Sequence, residues 1–206
     1  PTSSRSAGQT SWNATDAQML RNNTVSGNLF YGGNYYTAPI HGVNTSTYRI
    51  LAEQNGTSVS INGGAPFILN AGQRHEVNGN TAPVCIQASH PVSVAQLLEG
   101  YSCAGNGDPS LFLTSPAERM STHAAWNTSL SSLITQHSVS VVVPVASVGQ
   151  LTLDGTLVPA SQFQAYPGCT DRKHVKLTVA PGRHELAASN GFQAYTFGTG
   201  YGESYA

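Results

Sequence analysis

The chain has 206 residues, of which 39% are hydrophobic and only 9% charged, against about 25% charged in an ordinary soluble domain. Nine Lys and Arg against ten Asp and Glu leave a net charge of -1, so there is no basic field to hold a nucleic-acid backbone or an anionic membrane surface. Solubility rests on 23 Ser, 19 Thr, 14 Asn and 21 Gly, while nine Tyr, six Phe and the run Val139 to Val145 supply the core that a disordered chain lacks.

In chain order, residues 1–28 come first, polar and weakly periodic, with Trp12, Met19 and Leu20 as their large apolar side chains. They read as an arm or a remnant of a fibre shaft, with a short helix around Ala14 to Arg21 as the alternative. Beyond them, alternation of period two recurs between Asn-Gly and Asp-Gly pairs, the signature of strands joined by tight turns. Strands are expected at Thr47 to Glu53, at Thr57 to Ile61 after Asn55-Gly56, at Phe67 to Asn70 after Asn62-Gly63-Gly64, and at Arg74 to Val77. Val84 to Ala88 and Val92 to Leu98 follow, separated by His90-Pro91. No long amphipathic helix is expected; short exceptions fall near Ala117 to Met120 and Leu130 to Thr135.

An internal repeat organises the chain. Ala71-Gly72-Gln73-Arg74-His75-Glu76-Val77 resembles Ala180-Pro181-Gly182-Arg183-His184-Glu185-Leu186. The stretch from Ala88-Ser89 to Gly100-Tyr101 lines up with Ala188-Ser189 to Gly200-Tyr201, at an offset of 100 residues. The fold class is therefore all-β, with two tandem antiparallel sandwich-like or jelly-roll-like units. The boundaries expected are an arm over 1–28, a first unit over 29–115 and a second over 116–206. No run is apolar enough to span a bilayer and no leader pattern opens the chain, so the reading is a mature fragment with no membrane insertion.

Three cysteines show no CxxC spacing for zinc or redox work. An odd count allows one bridge, and Cys103 with Cys169 is the favoured pair. Both lie in Gly-rich loop sequence, while Cys85 alternates within a strand-like run. The alternative is three unpaired thiols.

The search for chemistry finds no GxSxG, GxGxxG, Walker loop, HExxH or EF-hand loop, so neither a metal nor a cofactor is expected. The two Arg-His-Glu segments read as cross-strand polar pairs. With only four Asp, Asp108-Pro109 reads as a turn rather than part of a calcium site, which needs about six to eight oxygens. Six Glu show no spacing that selects a catalytic pair, and the chain reads as no enzyme. The stronger lead is aromatic. Phe30-Tyr31-Gly32-Gly33-Asn34-Tyr35-Tyr36 groups Tyr and Asn as binding surfaces do, so Tyr31, Asn34 and Tyr35 are candidate ligand contacts, with Trp126 beside them; the competing reading makes each of them core.

Several segments together resemble the IgGFc-binding protein amino-terminal domain family. These are Tyr35-Tyr36-Thr37-Ala38-Pro39, Tyr48 to Val59, Leu69-Asn70-Ala71-Gly72-Gln73, Pro91-Val92-Ser93-Val94-Ala95-Gln96, Gly107-Asp108-Pro109-Ser110 and the closing Ala194 to Tyr205. The resemblance runs over about residues 29–206 and implies an extracellular or cell-surface, non-catalytic β module used in adhesion or recognition. Its partner would be a cell-surface glycan or protein, and low charge with a polar start suits a homotrimeric fibre tip. The alternatives are a structural oligomerisation or spacer module, and a hydrolase with an unrecognised site.

Overall fold

The structure is a computed structural model that describes residues 32–37, 46–80, 82–98, 100–101 and 105–205. The expected arm over 1–28, Tyr31 and Cys103 lie outside the described residues. A first antiparallel sheet contains β1 (Gly32–Tyr36), β2 (Ser46–Ala52), β3 (Thr57–Ile61), β4 (Phe67–Leu69), β5 (Arg74–Asn80), β6 (Cys85–Leu98) and β7 (Ser110–Thr114). A second contains β8 (Ser121–Asn127), β9 (Ile134–Pro144), β10 (Thr152–Leu153), β11 (Thr156–Leu157), β12 (Gln164–Tyr166), β13 (Cys169–Val179), β14 (Arg183–Gly200) and β15 (Glu203–Tyr205). The sequence around Ala117 to Met120 and Leu130 to Thr135 makes turns, not helices; single 3-10 turns occur at Val145–Ser147 and Ala160–Gln162.

The fold is all-β, and the two sheets repeat one topology. The first runs β4-β3-β6-β2-β5 with β1 and β7 also paired to β6; the second runs β11-β10-β14-β9-β13-β12 with β8 and β15 also paired to β14. The offset of 100 residues relates the two central strands in register. Gly32 pairs with Val92 and Tyr35 with Ile86, while Ser121 pairs with Phe192 and Ala124 with Leu186. The tight turns match as well. Asn62 (φ 53) and Asp154 (φ 51) are the described non-glycine residues with positive φ, each followed by a left-handed glycine. This is the geometry for which Asn-Gly and Asp-Gly are selected in two-residue hairpins. Their side chains do the same work: Asn62 Oδ1 accepts from Cys85 N at 3.0 Å, and Asp154 Oδ1 from Glu185 N at 2.8 Å.

The Arg-His-Glu similarity does not survive as a structural equivalence. Arg74-His75-Glu76 lies in β5, paired to β2, whereas Arg183-His184-Glu185 opens β14. Each nevertheless forms the polar pairs expected of it. Glu76 takes the fully buried Arg49 across the strands, and Glu185 meets His123 at 2.9 Å and Arg183 at 3.1 Å. Nor does His90-Pro91 separate two strands. β6 runs through it, because β3 pairs with residues 86–88 and β2 with 92–98. Pro91 thus falls where the strand changes partner and no ladder bond is asked of its missing N–H.

Alternation along β6 and β14 sends even-numbered residues into two separate cores. Ile86, Val92 and Val94 pack with Tyr35, Tyr48, Ile50 and Val59; Leu186, Ala188 and Phe192 pack with Val139, Val141, Val175 and Phe163. The opposite faces meet in a third cluster of Tyr36, Cys85, Ala117, Val142, Tyr166 and Cys169. There the bridge joins Cys85, not Cys103, to Cys169, with Cα atoms 6.5 Å apart. The reason is parity: Cys85 precedes Ile86, so its side chain leaves the first core and points at the second sheet. Beside it, a Cβ on Gly168 (φ 67) would collide with the Asn62 carbonyl, so the two turns approach closely only because residue 168 is glycine.

The bridge closes a separation of 84 residues, for which loop-entropy reasoning gives a stabilisation of about 3–5 kcal/mol. Chemical denaturation of the Cys85→Ser, Cys169→Ser double variant is expected to show a loss of that size. An unchanged midpoint would mean that noncovalent contacts alone hold the sheets together.

Candidate functional site

The connector between the sheets, residues 115–120, contributes Ala117, Glu118 and Met120 to a polar cleft. It is held from both sides. Ala117 N donates to Asn34 O at 2.8 Å. Gln193 Nε2, on β14, lies 2.9 Å from Ser115 O, 2.7 Å from Pro116 O and 3.3 Å from Arg119 O. Ser115 N donates to the Tyr195 hydroxyl at 3.1 Å. A buried glutamine amide satisfying connector carbonyls leaves few orphaned acceptors, which is what lets irregular backbone sit between two sheets.

The cleft has a volume of about 440 Å³ and is lined by Asn34, Tyr36, Gln87, Ala117, Glu118, Met120, Asp171 and Arg172. Its polar groups come from both sheets and the connector. Asn34 Nδ2 donates to Glu118 Oε1 at 3.3 Å. The Tyr36 hydroxyl donates to Asp171 Oδ1 at 2.7 Å, Arg172 Nη1 holds Asp171 Oδ2 at 3.0 Å, and the Arg172 guanidinium lies 5.5 Å from the Tyr36 ring centre. Burial, and then the hydrogen bond to Asp171, push the Tyr36 phenol far above its ordinary range, so it remains a neutral donor. Gln87, Glu118 and Asp171 stay exposed and present amide and carboxylate groups outward.

Beneath this surface Tyr166 ties the sheets together, its hydroxyl donating to Thr37 O at 2.7 Å. Its ring meets Tyr36 edge-on at 5.2 Å and His174 at 4.9 Å. His174 is buried at 3% exposure, and burial lowers its pKa to about 4.

Of the residues singled out in the sequence, Asn34 lines the cleft. Tyr35 does not: it is fully buried, with its hydroxyl donating to Val92 O at 2.5 Å. Strand parity explains the correction, since Asn34 and Tyr36 project to the cleft face of β1 and Tyr35 to the core. Trp126 is half-buried against the second core, 5.5 Å from the His184 ring, and is not brought to the cleft. Tyr36, Gln87, Glu118, Asp171 and Arg172 were not read from the sequence. Tyr36 carried a signal, as the neighbour of Tyr35 on the opposite face; Asp171 and Arg172 arrive from 135 residues away and carried none.

The family model described as IgGFc binding protein matches residues 29–198. No curated protein matches the chain. Among solved structures, an anti-sigma factor domain-containing protein from Clostridium clariflavum aligns at 10% identity over 81% of this chain and 78% of its own, with a TM-score of 0.17. A likeness that weak carries no argument.

The buried imidazole makes stability pH-dependent. His174 titrates at about 6.5 when unfolded and at about 4 when folded, so its neutral form is the folded one. Its contribution is fully present above the unfolded value and is lost as pH falls through the folded value. Denaturation midpoints are expected to decline between those two pH values, and to decline less in His174→Gln; equal declines would place the acid sensitivity elsewhere.

Proposed function

The chain belongs to the IgGFc-binding protein family, and on that premise we propose that it is a non-catalytic, extracellular recognition module whose partner is a protein, bound at the cleft between its two sheets. Two things support the reading. The family is one of binding-type domains. The Cys85–Cys169 bridge suits an oxidising compartment, and the family's domains are typically extracellular. Among the described residues no helix is long and apolar enough to cross a membrane.

The observation that carries the proposal is the assembly of the cleft. Its polar side chains come from β1, β6, the connector and β13, and are fixed by a disulfide, two buried tyrosine hydroxyls and a buried glutamine. Groups already held in place lose little conformational freedom on binding, which raises affinity for a given contact area. The cleft offers two exposed carboxylates and one partly buried guanidinium, so the complementary surface carries a basic side chain and hydrogen-bonding groups.

The test is a titration of the immobilised chain with the Fc fragment of immunoglobulin G, the partner that the family's name records. Saturable binding is expected, weakened roughly tenfold or more by Gln87→Arg and by Glu118→Lys, with circular dichroism of both variants unchanged. Binding that survives both substitutions moves the site away from the cleft, and no binding overturns this partner.

A further inference from the structure

The 100-residue repeat places a tyrosine just beyond each central strand, Tyr101 after β6 and Tyr201 after β14. The structure brings these two into contact. Their ring centres lie 4.9 Å apart, edge-to-face at 62°, and both are exposed, Tyr101 at 46% and Tyr201 at 79%. Single exposed aromatics are ordinary on a protein surface; here two touch, and tyrosine is enriched at interfaces because its ring is apolar and its tip polar.

The loops beneath the pair are knitted to each other. Within the first loop Gly105 N donates to Tyr101 O at 2.8 Å, and between the loops Gly107 N donates to Gly200 O at 2.9 Å. Asn106 Nδ2 donates to Thr199 Oγ1 at 3.2 Å, and Ser204 Oγ donates to Asp108 O at 2.6 Å. Edge-to-face packing uses one ring's face and leaves broad faces open, most of all on Tyr201. Among the described residues neither tyrosine hydroxyl has a hydrogen-bond partner, so both are available as donors and acceptors.

We propose that Tyr101 and Tyr201 form a binding platform for neutral oligosaccharides, distinct from the cleft. A pyranose presents an apolar C–H face that stacks on an aromatic ring, and a rim of hydroxyls that needs amide, phenol and carboxylate partners. Both kinds of group are present: the open rings, the two phenols, and the Asp108 and Glu203 carboxylates, both exposed. Charge selects the class of sugar. Residues 100–109 and 200–206 contain no Lys or Arg, so nothing in these two segments compensates a sialic acid or a sulfate, and the two acidic groups repel them.

The experiment follows backbone amides by two-dimensional NMR while the full chain is titrated with an N-acetylglucosamine trimer, an α-linked mannose trimer and lactose, and separately with a sialylated lactose and choline. Saturable shifts confined to Gly105, Gly107, Gly200, Gly202 and Ser204 are expected with at least one neutral sugar. Tyr201→Ala, at a side chain too exposed to matter for folding, should weaken that binding roughly tenfold or more. Leu157→Ala, an exposed apolar side chain on β11, should leave it unchanged. No shift with any neutral sugar, shifts that persist in Tyr201→Ala, or a response only to sialylated lactose or choline would each overturn the proposal.

Discussion

Each sheet of this protein is apolar on both faces, and one face of each is covered by the other sheet. That constraint governs the rest. A two-faced strand normally belongs to the middle of a layered domain, and β6 and β14 behave so. Ile86, Val92 and Val94 on one and Leu186, Ala188 and Phe192 on the other fill the unit's own core, while Leu98 at the end of β6 meets Phe197 of the other sheet. Odd-numbered side chains, Cys85 on one strand and Gln193 and Tyr195 on the other, reach across to the second sheet or to the connector. Exposing Tyr36, Tyr166 and Val142 would forfeit roughly 25 cal/mol for each Å² of apolar surface returned to water. The disulfide adds a covalent limit on how far the faces can part.

Duplication explains the architecture, and divergence explains the site. Where the first unit places Arg49 against Glu76 across β2 and β5, the second places Ser140 against Lys176 across β9 and β13. An ion pair at one position has become a serine and a lysine at its counterpart. The charge pair of the first unit has no counterpart across these two strands of the second. Polar residues are instead retained at the margin, where Asp171 and Arg172 meet Tyr36. The cleft is thus the rim of the sheet-to-sheet contact, where desolvation ends and hydrogen-bonding groups again face water.

What could be read from the sequence was what local physics fixes. Asn62-Gly63 and Asp154-Gly155 announced hairpins because few other dipeptides tolerate two left-handed residues in succession. β3 falls where alternation put it, and the repeat of Ala88 to Tyr101 at Ala188 to Tyr201 holds strand for strand. The losses all concern which face a residue points to, or what lies far away in the chain. Gly32-Gly33-Asn34-Tyr35-Tyr36 contains no apolar-polar alternation to set parity, so nothing local separates the buried Tyr35 from the cleft-facing Tyr36. Cys85 looked like a core residue because the strand around it is apolar on both faces. The Arg-His-Glu match failed for a related reason: similar short polar strands recur wherever an edge meets solvent, so likeness over seven residues does not establish the same place in the fold.

The same duplication sets how the two surfaces proposed for binding differ. The cleft lies where the units are least alike, built from a connector that has no counterpart and from Asp171 and Arg172, which exist in the second unit alone. The tyrosine platform lies where they are most alike, at the matched ends of β6 and β14, and exists because packing the two sheets brings equivalent positions together. A site made by divergence is tuned one side chain at a time, since changing Glu118 touches no repeated element. A site made by symmetry depends on the relative placement of the sheets, which hydrogen bonds from residues 106–108 to residues 199–204 hold locally. The platform is thus held by contacts of its own, at the end of β6 opposite the Cys85–Cys169 bridge.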